Sequence, residues 1–428
     1  MDKIIKPIDR LRGEIELPGD KSISHRVVFI GGISKGNTKA KNFLNAEDPL
    51  RTVSAFRDMG IDIEIKDKNI TIAGKGLKGL RKPDKELYLG NSGTTMRILP
   101  GILAGQTFGA TLTGDESLSK RPMDRIIEPL RKMAVDIHSK NINSFPPLVI
   151  KGGIVKPIEY ATKVASAQVK SCILFAGLYA KNITSVTEPF TSRDHTERML
   201  KFCGAKILKK HLTVSIEGKT ELNGKEFFVP GDISGAAFFI AGACILEGSD
   251  ITIRNVGLNP TRMGFLDTII KMGADVSIEK RIERCLEPYG DIRVRHSKLK
   301  SIVVEEKDIP LLIDEVPVLA VLASLAEGRT VIKGIRELRV KETDRIFSMT
   351  ENLKRMGVDI RAENENLIIN GRKKRFMKAV LNSFKDHRTA MSAAIAALYA
   401  AGDCRIKDIE CINTSFPEFF HILDYLKR

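Results

Sequence analysis

Hydrophobic and polar positions along the chain follow one pattern that returns six times. A short phrase with Met-Gly at its centre closes an amphipathic segment, and alternating residues such as Ile61-Asp62-Ile63-Glu64-Ile65 follow it. Helical spacing before the phrase and strict alternation after it predict a helix, a glycine C-cap and then a strand. The phrase or a variant of it stands at Met59-Gly60, Met133-Ala134, Cys203-Gly204, Met272-Gly273 and Met356-Gly357, with a truncated copy at Leu423-Asp424-Tyr425-Leu426.

A second phrase keeps step with the first. A polar residue introduces an Ala-, Leu- and Ile-rich helix, and Asp, Asn and Ser are the residues that a helix N-cap prefers. Both phrases return about every 71 residues, which predicts six units of two helices and several strands each. Chance recurrence of common helix ends is the alternative, but it does not explain two phrases in step. The predicted starts are Asp20, Asn91, Ser166, Asp232, Asp314 and Asp386.

A repeated Pro-Gly phrase divides the six units into two sets of three. Leu17-Pro18-Gly19-Asp20 and Val229-Pro230-Gly231-Asp232 repeat one another about three units apart. A chain of 428 residues is also too long for one compact core and fits two domains. We therefore predict a discontinuous domain over residues 1–18 plus 232–428 and a second domain over residues 19–231, with crossings near Pro18-Gly19 and Pro230-Gly231.

Composition is that of a globular protein and narrows the choice of partners. The longest apolar stretch, around Ala390 to Ala401, is too short to cross a bilayer. The segment Met1-Asp2-Lys3-Ile4-Ile5 lacks the apolar core of a signal peptide, so we expect cytoplasmic residence and no membrane partner. Six scattered cysteines without CxxC or Cys/His pairing predict reduced, buried thiols and no metal site.

The formal charge of +16 favours small acidic ligands over nucleic acid. Zinc-finger spacing is absent, and six Tyr with no Trp leave little for base stacking, so no nucleic-acid partner is predicted. Helix starts expose unpaired N–H groups and a partial positive charge, and two domains facing each other would direct several of them into one anion-binding cleft. Charge alone does not separate this steering role from a lysine-rich solvated surface.

Motifs rich in Lys, Arg and Ser stand at or near these helix starts. Arg offers a bidentate fork and Lys a point charge to phosphate or carboxylate, although an N-capped helix with surface charges gives the same pattern. The motifs are Pro18-Gly19-Asp20-Lys21-Ser22-Ile23-Ser24-His25-Arg26, Gly90-Asn91-Ser92-Gly93-Thr94-Thr95-Met96-Arg97, Arg121-Pro122, Ser166-Ala167-Gln168-Val169-Lys170, Arg193-Asp194-His195-Thr196-Glu197, Asn259-Pro260-Thr261-Arg262, Lys341-Glu342-Thr343-Asp344-Arg345 and Asp386-His387-Arg388.

In this order the motifs resemble the 5-enolpyruvylshikimate-3-phosphate synthase family, in the second of its two sequence classes, along essentially the full chain. The resemblance implies an α/β fold of two similar domains, each of three βαβαββ units about a pseudo-threefold axis. It implies transfer of the enolpyruvyl group of phosphoenolpyruvate to the 5-hydroxyl of shikimate 3-phosphate, with release of phosphate, in the biosynthesis of chorismate and aromatic amino acids. It also implies a monomer that needs no cofactor.

Roles for individual residues follow from the same resemblance. The shikimate 3-phosphate site would contain Lys21, Ser22, Arg26, Ser166, Ala167, Gln168, Arg193, Asp314 and Lys341. The phosphoenolpyruvate site would contain Lys21, Gly93, Thr94, Arg121, Gln168, Arg345 and Arg388, with Asn91 and His387 in support. Asp314 would accept the proton of the sugar hydroxyl and Glu342 would transfer a proton at the methylene carbon, with Lys21 as the third catalytic group.

The chain departs from the family pattern at several places. Asn413-Thr414-Ser415-Phe416-Pro417 lacks a lysine that the other class carries before its Phe-Pro step, Ala167 replaces a second serine, and Glu337 replaces an asparagine that contacts substrate. Gly93 matches the pattern of glyphosate-sensitive members. We also expect a strand from Glu337 to Val340, leading into Lys341 and Glu342.

Two other functions stay open at this point. An enolpyruvyl transferase acting on UDP-N-acetylglucosamine would share the fold and the donor, but such enzymes typically place a reactive cysteine in a mobile loop, and Arg121 has none nearby. A non-catalytic protein that binds RNA or another polyanion would share the repeat and the charge, but it would have no need for the acid–base candidates.

Overall fold

The structure is a computed structural model that describes residues 1–141 and 144–427. It divides into two compact units. The first unit comprises Met1–Pro18, Pro230–Ile282 and Pro288–Arg428, and the second comprises Gly19–Val229 and Glu283–Glu287. Pro230 and Gly231 therefore belong with the first unit, and the short segment 283–287 belongs with the second.

Two strands open the chain, and the elements of the second unit follow them. These strands are β1 (Lys3–Ile5) and β2 (Arg12–Glu16). The helices of the second unit are α1 (Lys21–Gly32), α2 (Glu47–Asp58), α3 (Gly93–Leu103), α4 (Asp124–Lys132), α5 (Ala167–Gly177) and α6 (His195–Phe202). Its strands are β3 (Lys35–Lys41), β4 (Asp62–Lys66), β5 (Asn69–Lys75), β6 (Leu87–Tyr88), β7 (Gly109–Thr113), β8 (Asp136–Ser139), β9 (Leu148–Lys151), β10 (Glu159–Ala161), β11 (Ile183–Thr187), β12 (Ile207–Lys210), β13 (Thr213–Glu217) and β14 (Glu226–Phe228).

The remaining elements follow Pro230. The helices are α7 (Ile233–Ile245), α8 (Gly264–Lys271), α9 (Val316–Ala323), α10 (Arg345–Arg355), α11 (His387–Leu398) and α12 (Phe419–Leu426). The strands are β15 (Asp250–Gly257), β16 (Asp275–Arg284), β17 (Glu287–Arg295), β18 (Val303–Val304), β19 (Arg329–Ile332), β20 (Asp359–Glu363), β21 (Asn366–Asn370), β22 (Val380–Asn382) and β23 (Cys404–Lys407). Short 3-10 helices span Leu118–Lys120, Pro260–Arg262, Glu306–Leu311, Arg336–Val340 and Ile409–Thr414.

One sheet topology recurs through both units. The sheet ordered β6-β7-β9-β8 has β6 parallel to β7 and a β8–β9 hairpin antiparallel to β7, so its chain order is βαβαββ. The sheets β10-β11-β13-β12 and β18-β19-β21-β20 repeat this form. The predicted α/β fold of three βαβαββ units per domain is confirmed.

The other sheets take strands from distant parts of the sequence. In β14-β3-β5-β4, the first strand comes from the end of the second unit and pairs in parallel with β3. In β16-β17-β15-β2, the chain's second strand pairs in parallel with β15. The sheet β1-β23-β22 has three strands among the described residues, with β1 antiparallel to β23. It belongs to the sixth, truncated repeat.

Each unit has its own core around inner helices. Every residue of α7 and α9 is buried, as expected of helices that are apolar on all sides, and α11 packs against both. In the second unit α3 packs against α5, and α1 packs against α2, α3 and α6. The outer helices α2, α4, α8 and α10 bury one face only, which matches their amphipathic sequence.

The Met-Gly phrases end the outer helices as predicted. Gly60 lies at φ +83°, and the N–H of Ile61 donates to the carbonyl oxygen of Phe56 at 3.0 Å, the long-range bond of a Schellman cap. The N–H of Gly60 donates to the carbonyl oxygen of Arg57, which is the second bond of this cap. The equivalent two bonds close α4, α6, α8 and α10. Ala134 replaces the glycine at the end of α4 and still lies at φ +63°.

Four of the six predicted N-caps are confirmed, and two are wrong by one residue. Asp20, Ser166, Asp232 and Asp386 accept backbone N–H bonds from their own helices. The cap of α3 is Ser92 rather than Asn91, and the residue at the cap position of α9 is Glu315 rather than Asp314. Asn91 and Asp314 each stand one residue before the cap position, and their side chains bind arginines instead.

The predicted strand from Glu337 to Val340 is wrong, because this segment is a 3-10 helix over Arg336–Val340. Ile335 and Leu338 are fully buried, whereas Val340 is 43% exposed. Burial therefore returns every third residue, which is the period of a 3-10 helix and not that of a strand. Two apolar residues in alternation were too short a signal to separate these periods.

The cysteines are reduced thiols, as predicted, although not all of them are buried. Cys172, Cys203, Cys244 and Cys404 are buried, while Cys285 and Cys411 are partly exposed. Burial raises the pKa of the Cys172 thiol to about 12. Within the described part of the chain, no helix combines the length and the apolar character that a membrane span requires. The same residues contain no cluster of His, Cys, Asp or Glu side chains with the geometry of a metal site.

Candidate active site

The start of α1 carries the first group of predicted site residues. Asp20 caps the helix by accepting the N–H of Ile23 at 2.9 Å. Lys21 is the first residue of the helix, and its Nζ donates to Asp48 Oδ2 at 3.0 Å. Asp48 lies in the first turn of α2, so this ion pair joins the starts of two helices.

Arg26 connects three helices of the second unit. Its Nε donates to Thr196 Oγ1 at 2.6 Å, one Nη donates to Ser171 Oγ at 3.1 Å and the other to the carbonyl oxygen of Ser22 at 3.0 Å. Burial lowers the pKa of this guanidinium to about 10, with Glu197 acting in the opposite direction. Arg26 is therefore still charged at neutral pH, and it fixes Ser22 in the first turn of α1.

Gln168 joins the starts of α3 and α5. Its Oε1 accepts a hydrogen bond from Arg97 Nη1 at 3.1 Å, and its Nε2 donates to Thr94 Oγ1 at 3.2 Å. Close packing of the two helices makes this contact possible, because a Cβ at Gly101 would lie 2.1 Å from the carbonyl oxygen of Cys172. Two predicted ligands, Thr94 and Gln168, are thus neighbours.

Arg121 reaches the turn before α3. One Nη donates to Asn91 Oδ1 at 2.6 Å and to Ser117 Oγ at 3.2 Å, while Asn91 Nδ2 donates to Asp115 Oδ2 at 2.8 Å. These bonds occupy the Asn91 side chain, and the next residue caps α3. Asn91 therefore orients the Arg121 side chain.

Gly93 lies between two guanidinium groups. A Cβ added to Gly93 would lie 3.1 Å from Nη1 of Arg121 and 3.1 Å from Nη1 of Arg97. Any side chain at this position would push the two arginines from their places. The first residue of α3 is therefore constrained by the arginines around it.

The start of α5 is held by buried charges. Ser166 Oγ accepts the N–H of Val169, and the N–H of Ser166 donates to Glu188 Oε1 at 3.0 Å. Lys170 Nζ lies 2.7 Å from Glu188 and 2.8 Å from Glu197. Burial would lower the pKa of Lys170, but these two carboxylates outweigh it and raise the pKa above its usual value. Lys170 is consequently a structural cation.

The remaining predicted ligands of the second unit lie beside these groups. Ala167 is the first residue of α5, where its backbone alone is polar, and Arg193 lies in the loop before α6. Arg193 lowers the pKa of Arg26 through like-charge repulsion, a contribution smaller than that of burial. Both residues are partly exposed and accessible to a ligand.

Arg345 organises the candidate site of the first unit. Its Nε donates to Asp386 Oδ2 at 2.9 Å, its Nη1 to Asp314 Oδ1 at 3.1 Å and its Nη2 to Glu342 Oε2 at 2.6 Å. Burial would lower the pKa of the guanidinium, but the three carboxylates together raise it. The two predicted acid–base residues, Asp314 and Glu342, thus share one cation.

Arg388 approaches Asp314 from α11. Its Nη1 donates to the carbonyl oxygen of Asp314 at 3.1 Å, and its Nη2 lies 3.5 Å from Asp314 Oδ2. Two guanidinium groups therefore hold this carboxylate, one residue before the cap position of α9. Asp386 Oδ1 caps α11 by accepting the N–H groups of Arg388 and Thr389, so one aspartate binds the Arg345 side chain and the backbone of Arg388.

The family model for EPSP synthase (3-phosphoshikimate 1-carboxyvinyltransferase) matches residues 5–423. The chain belongs to this family. It is 49% identical over 431 residues to the 3-phosphoshikimate 1-carboxyvinyltransferase of Thermodesulfovibrio yellowstonii, with 100% of each chain covered. It is 48% identical over 414 residues to the enzyme of that name from Geobacillus thermodenitrificans, with 96% of each covered. It is also similar in structure to an EPSP synthase from Acinetobacter baumannii, with a TM-score of 0.89, 44% identity and coverage of 99% of this chain and 98% of the other.

Two further predicted site residues, Lys341 and His387, lie in the first unit. Lys341 follows the 3-10 helix and is partly exposed. His387 is buried at the start of α11, where its Nε2 lies 3.2 Å from Ser415 Oγ and its Nδ1 lies 3.5 Å from Thr414 Oγ1. The hydroxyl groups of Thr414 and Ser415 therefore contact His387.

Sequence reasoning did not assign roles to Arg97 and Asp386. Arg97 bonds Gln168 and flanks Gly93, and it stands at the end of a motif that had been singled out. Its distance of about one helical turn from the start of α3 was the available signal. Asp386 was assigned to a helix cap, and its second oxygen, which binds Arg345, could not be anticipated without the fold.

Proposed function

We propose that the chain transfers the enolpyruvyl group of phosphoenolpyruvate to the 5-hydroxyl of shikimate 3-phosphate, and the names of its relatives, 3-phosphoshikimate 1-carboxyvinyltransferases, support this reaction. The observation that carries the proposal is the group around Arg345, where two carboxylates suited to acid–base work share one buried guanidinium. A protein that merely binds anions has no use for such a group. The reaction belongs to the biosynthesis of chorismate and aromatic amino acids.

Binding of both substrates is assigned mainly to the helix starts of the second unit. Lys21, Ser22 and Arg26, with Ser166, Ala167, Gln168 and Arg193, would bind shikimate 3-phosphate together with Asp314 and Lys341. Lys21, Gly93, Thr94, Arg121 and Gln168 would bind phosphoenolpyruvate together with Arg345 and Arg388. The capped starts of α1, α3 and α5 support these assignments, because helix N-termini and arginine forks both favour phosphate and carboxylate.

The charges of the assigned residues differ between the two units, and this difference indicates different roles. In the first unit, Arg345 and Arg388 face three carboxylates, so this group is suited to moving protons more than to collecting anions. Arg345 has five N–H groups, and three of them donate to Asp314, Glu342 and Asp386. The other two are geometrically fixed and would bind a substrate oxygen without loss of the carboxylate contacts.

Addition is the first step of the proposed reaction. Asp314 takes the proton of the 5-hydroxyl as the oxygen attacks the central carbon of phosphoenolpyruvate. Glu342 delivers a proton to the methylene carbon, which becomes a methyl group, and a tetrahedral ketal results. Lys21 and the arginines stabilise the phosphate and carboxylate charges that crowd together in this intermediate.

Elimination is the second step. The methyl group gives one proton back, the C–O bond to phosphate breaks, and the carbon–carbon double bond forms again as the enol ether. Glu342 thereby regains the proton that it gave in the first step, and the proton that Asp314 took from the 5-hydroxyl passes to the departing inorganic phosphate. Glu342, fixed by Arg345, is the group assigned to both proton transfers at this carbon.

Three further properties stay predictions from the sequence. They are cytoplasmic residence, a monomeric state and sensitivity to glyphosate. The position of Gly93 between two guanidinium groups supports sensitivity, since an unobstructed pair of arginines would also accept the anionic groups of an inhibitor.

The proposal is tested by phosphate release with phosphoenolpyruvate and one acceptor at a time. We expect release with shikimate 3-phosphate and at least about 10³-fold less with UDP-N-acetylglucosamine or with shikimate, because the phosphate-binding groups would be unpaired. Equal release with UDP-N-acetylglucosamine would favour the rival transferase. Nucleic-acid binding that weakens with salt, without any phosphate release, would instead favour the polyanion-binding function.

A further inference from the structure

The segment that leads into α11 contains two adjacent residues in the left-handed conformation. Phe384 lies at φ +52° and Lys385 at φ +58°. The Cβ of an L-residue is crowded in this region, so such a pair persists only where surrounding contacts hold it. Asp386 follows directly, and it is the residue that caps α11 and binds Arg345 Nε at 2.9 Å.

Asn352 holds this segment from α10. It is 1% exposed, its Oδ1 accepts the backbone N–H of Asn382 at 3.0 Å, and its Nδ2 donates to the carbonyl oxygen of Asn382 at 2.8 Å. Both backbone groups of Asn382 are thereby fixed, two residues before the left-handed pair. The ring of Phe384 also packs edge to face on Phe347 of α10, with a centroid separation of 5.7 Å.

Side chains within the segment hold the pair itself. Asn382 Oδ1 accepts the N–H of Phe384 at 2.7 Å. Ser383 Oγ accepts the N–H of Lys385 at 3.0 Å and donates to the carbonyl oxygen of Asp408 at 2.8 Å. The left-handed pair is therefore held by the side chains of the two residues before it, and Asn352 in turn holds the backbone of the first of these, Asn382.

We propose that Asn352 is a positioning residue for the arginines assigned to phosphoenolpyruvate. Arg345 is the first residue of α10, and Asn352 lies about two turns further along the same helix. From there Asn352 holds the left-handed Phe384-Lys385 pair, and this pair places Asp386 against Arg345 and sets the start of α11 that carries Arg388. The identity of the ligand rests on the proposed function, whereas the clamp rests on the geometry alone.

The first test separates the two substrates. We expect Asn352→Ala to raise the KM for phosphoenolpyruvate about tenfold and to leave the KM for shikimate 3-phosphate within about twofold. The reason is that the substitution removes the two bonds to the backbone of Asn382, which support only the segment that positions Arg345 and Arg388. Ser324→Ala is the matched control, since it removes a buried side-chain bond to a backbone carbonyl in the same unit, at the far end of α9. We expect both KM values of the control to stay at the wild-type level. Equal rises of the two KM values in Asn352→Ala would overturn the proposal.

The second test is rescue by glycine. The side chain of Lys385 is exposed, and glycine adopts the left-handed conformation without strain. Lys385→Gly alone should leave both KM values unchanged. Combined with Asn352→Ala, it should recover at least about threefold of the lost affinity for phosphoenolpyruvate, because the clamp then has less strain to hold. A general loss of packing at position 352 would show no such rescue, and its absence would reject the clamp.

A third measurement does not depend on turnover. In wild-type protein the amides of Arg388 and Thr389 are bonded to Asp386. Asn352→Ala should speed their hydrogen exchange at least about tenfold, and Lys385→Gly in the same chain should slow it again. Unchanged exchange would refute the clamp even in an active enzyme. Absence of turnover by the wild type would refute the proposed function. The hydrogen-exchange rates would then still test whether Asn352 positions the start of α11.

Discussion

At the scale of single residues, Asp314 is the carboxylate whose loss is most informative, because an isosteric residue keeps the bond from Arg345 to Oδ1 and the bond from Arg388 to the backbone carbonyl oxygen. Asp314→Asn keeps acceptor oxygen and shape but cannot take a proton. We expect kcat to fall about 10²–10⁴-fold with both KM values within about threefold. Steady-state phosphate release measures this. Asp344→Asn is the control, since Asp344 caps α10 and asparagine also caps well. A similar loss in both variants would contradict a specific role for Asp314.

Gly93 controls the space between two arginines, so its substitution tests the phosphoenolpyruvate site. Gly93→Ala places a Cβ 3.1 Å from each Nη1, and both guanidinium groups must shift by a few tenths of an ångström. We expect the KM for phosphoenolpyruvate to rise about tenfold and inhibition by glyphosate to weaken more than that. Inhibition kinetics with varied phosphoenolpyruvate measure both effects. A wild-type enzyme in which glyphosate does not compete with phosphoenolpyruvate would disprove the sensitivity.

His25 gives a test by pH that is independent of turnover. Its ring is buried, Nδ1 lies 2.7 Å from Thr52 Oγ1, and Nε2 has no hydrogen-bond partner among the residues that the structure describes. Burial, with Lys21 and Arg26 as further causes, lowers the pKa of His25 well below 6.5. Below pH 6.5 the unfolded chain therefore binds a proton at His25, whereas the folded chain does not. The free energy of unfolding is consequently unaffected by this group above pH 6.5 and decreases as the pH falls below it.

The expected size follows from linkage. Chemical denaturation of wild type and His25→Asn should show stabilities that converge by about 1.4 kcal/mol for each pH unit below 6.5. The difference should be constant between pH 7 and 8. Parallel curves down to pH 5 would mean that His25 already binds its proton in the folded state.

At this scale the sequence predicted the chemistry of the site better than its geometry. Lys21, Arg345 and Arg388 were recognisable because their motifs are specific. Asn91 and Asp314 were expected at helix caps, and both instead bind arginines that are distant in the sequence. Which partner wins such a competition depends on the fold, and a local pattern contains no information on it.

At the scale of elements, the caps of the outer helices are the most regular feature, and one of them breaks the rule. Ala134 lies at φ +63° where the other four described helices of this type end in glycine. The left-handed conformation costs an L-residue about 1–2 kcal/mol of folding free energy. Glycine avoids this steric cost, but it loses about 0.5–1 kcal/mol because its unfolded chain has more conformational entropy to give up. Ala134→Gly should therefore stabilise the protein by about 0.5–1 kcal/mol, measured by chemical denaturation.

The reverse substitution is the control for this prediction. Gly60→Ala places a Cβ at φ +83°, beside the flexible side chain of Arg81, and should destabilise by about 1 kcal/mol. Loss of stability in both variants would mean that the strain of Ala134 at the end of α4 is smaller than the entropic cost of glycine. Local caps of this kind were predictable because their bonds lie within a few residues, whereas the 3-10 helix over Arg336–Val340 depends on buried neighbours that the sequence does not reveal.

At the scale of the whole molecule, the two units differ in where their strands come from. This difference predicts that they would not fold equally well as separate fragments. All strands of the three second-unit sheets come from residues 35–228. The sheets of the first unit take β1 and β2 from the first 16 residues of the chain. The repeated Pro-Gly phrases indicated the two crossings, but the period alone could not show that β14 completes the first sheet of the second unit.

This topology predicts how the fragments behave. Residues 19–229 alone should unfold cooperatively with heat and show native-like circular dichroism. Residues 230–428 alone should not, because β15 and β23 would be left with unpaired edges. Addition of a peptide of residues 1–18 should restore folding of the second fragment. A folded 230–428 fragment without the peptide would contradict this account.

The most direct measurement follows carbon-13-labelled phosphoenolpyruvate by NMR under single-turnover conditions with excess enzyme. With shikimate 3-phosphate and wild-type protein, we predict that the labelled carbon passes entirely into an enol ether while one phosphate is released. With Asp314→Asn, both substrates should bind and the label should stay in phosphoenolpyruvate over the same time. Wild-type protein that leaves the label unchanged, or releases phosphate to give pyruvate without an enol ether, would contradict the proposed transfer.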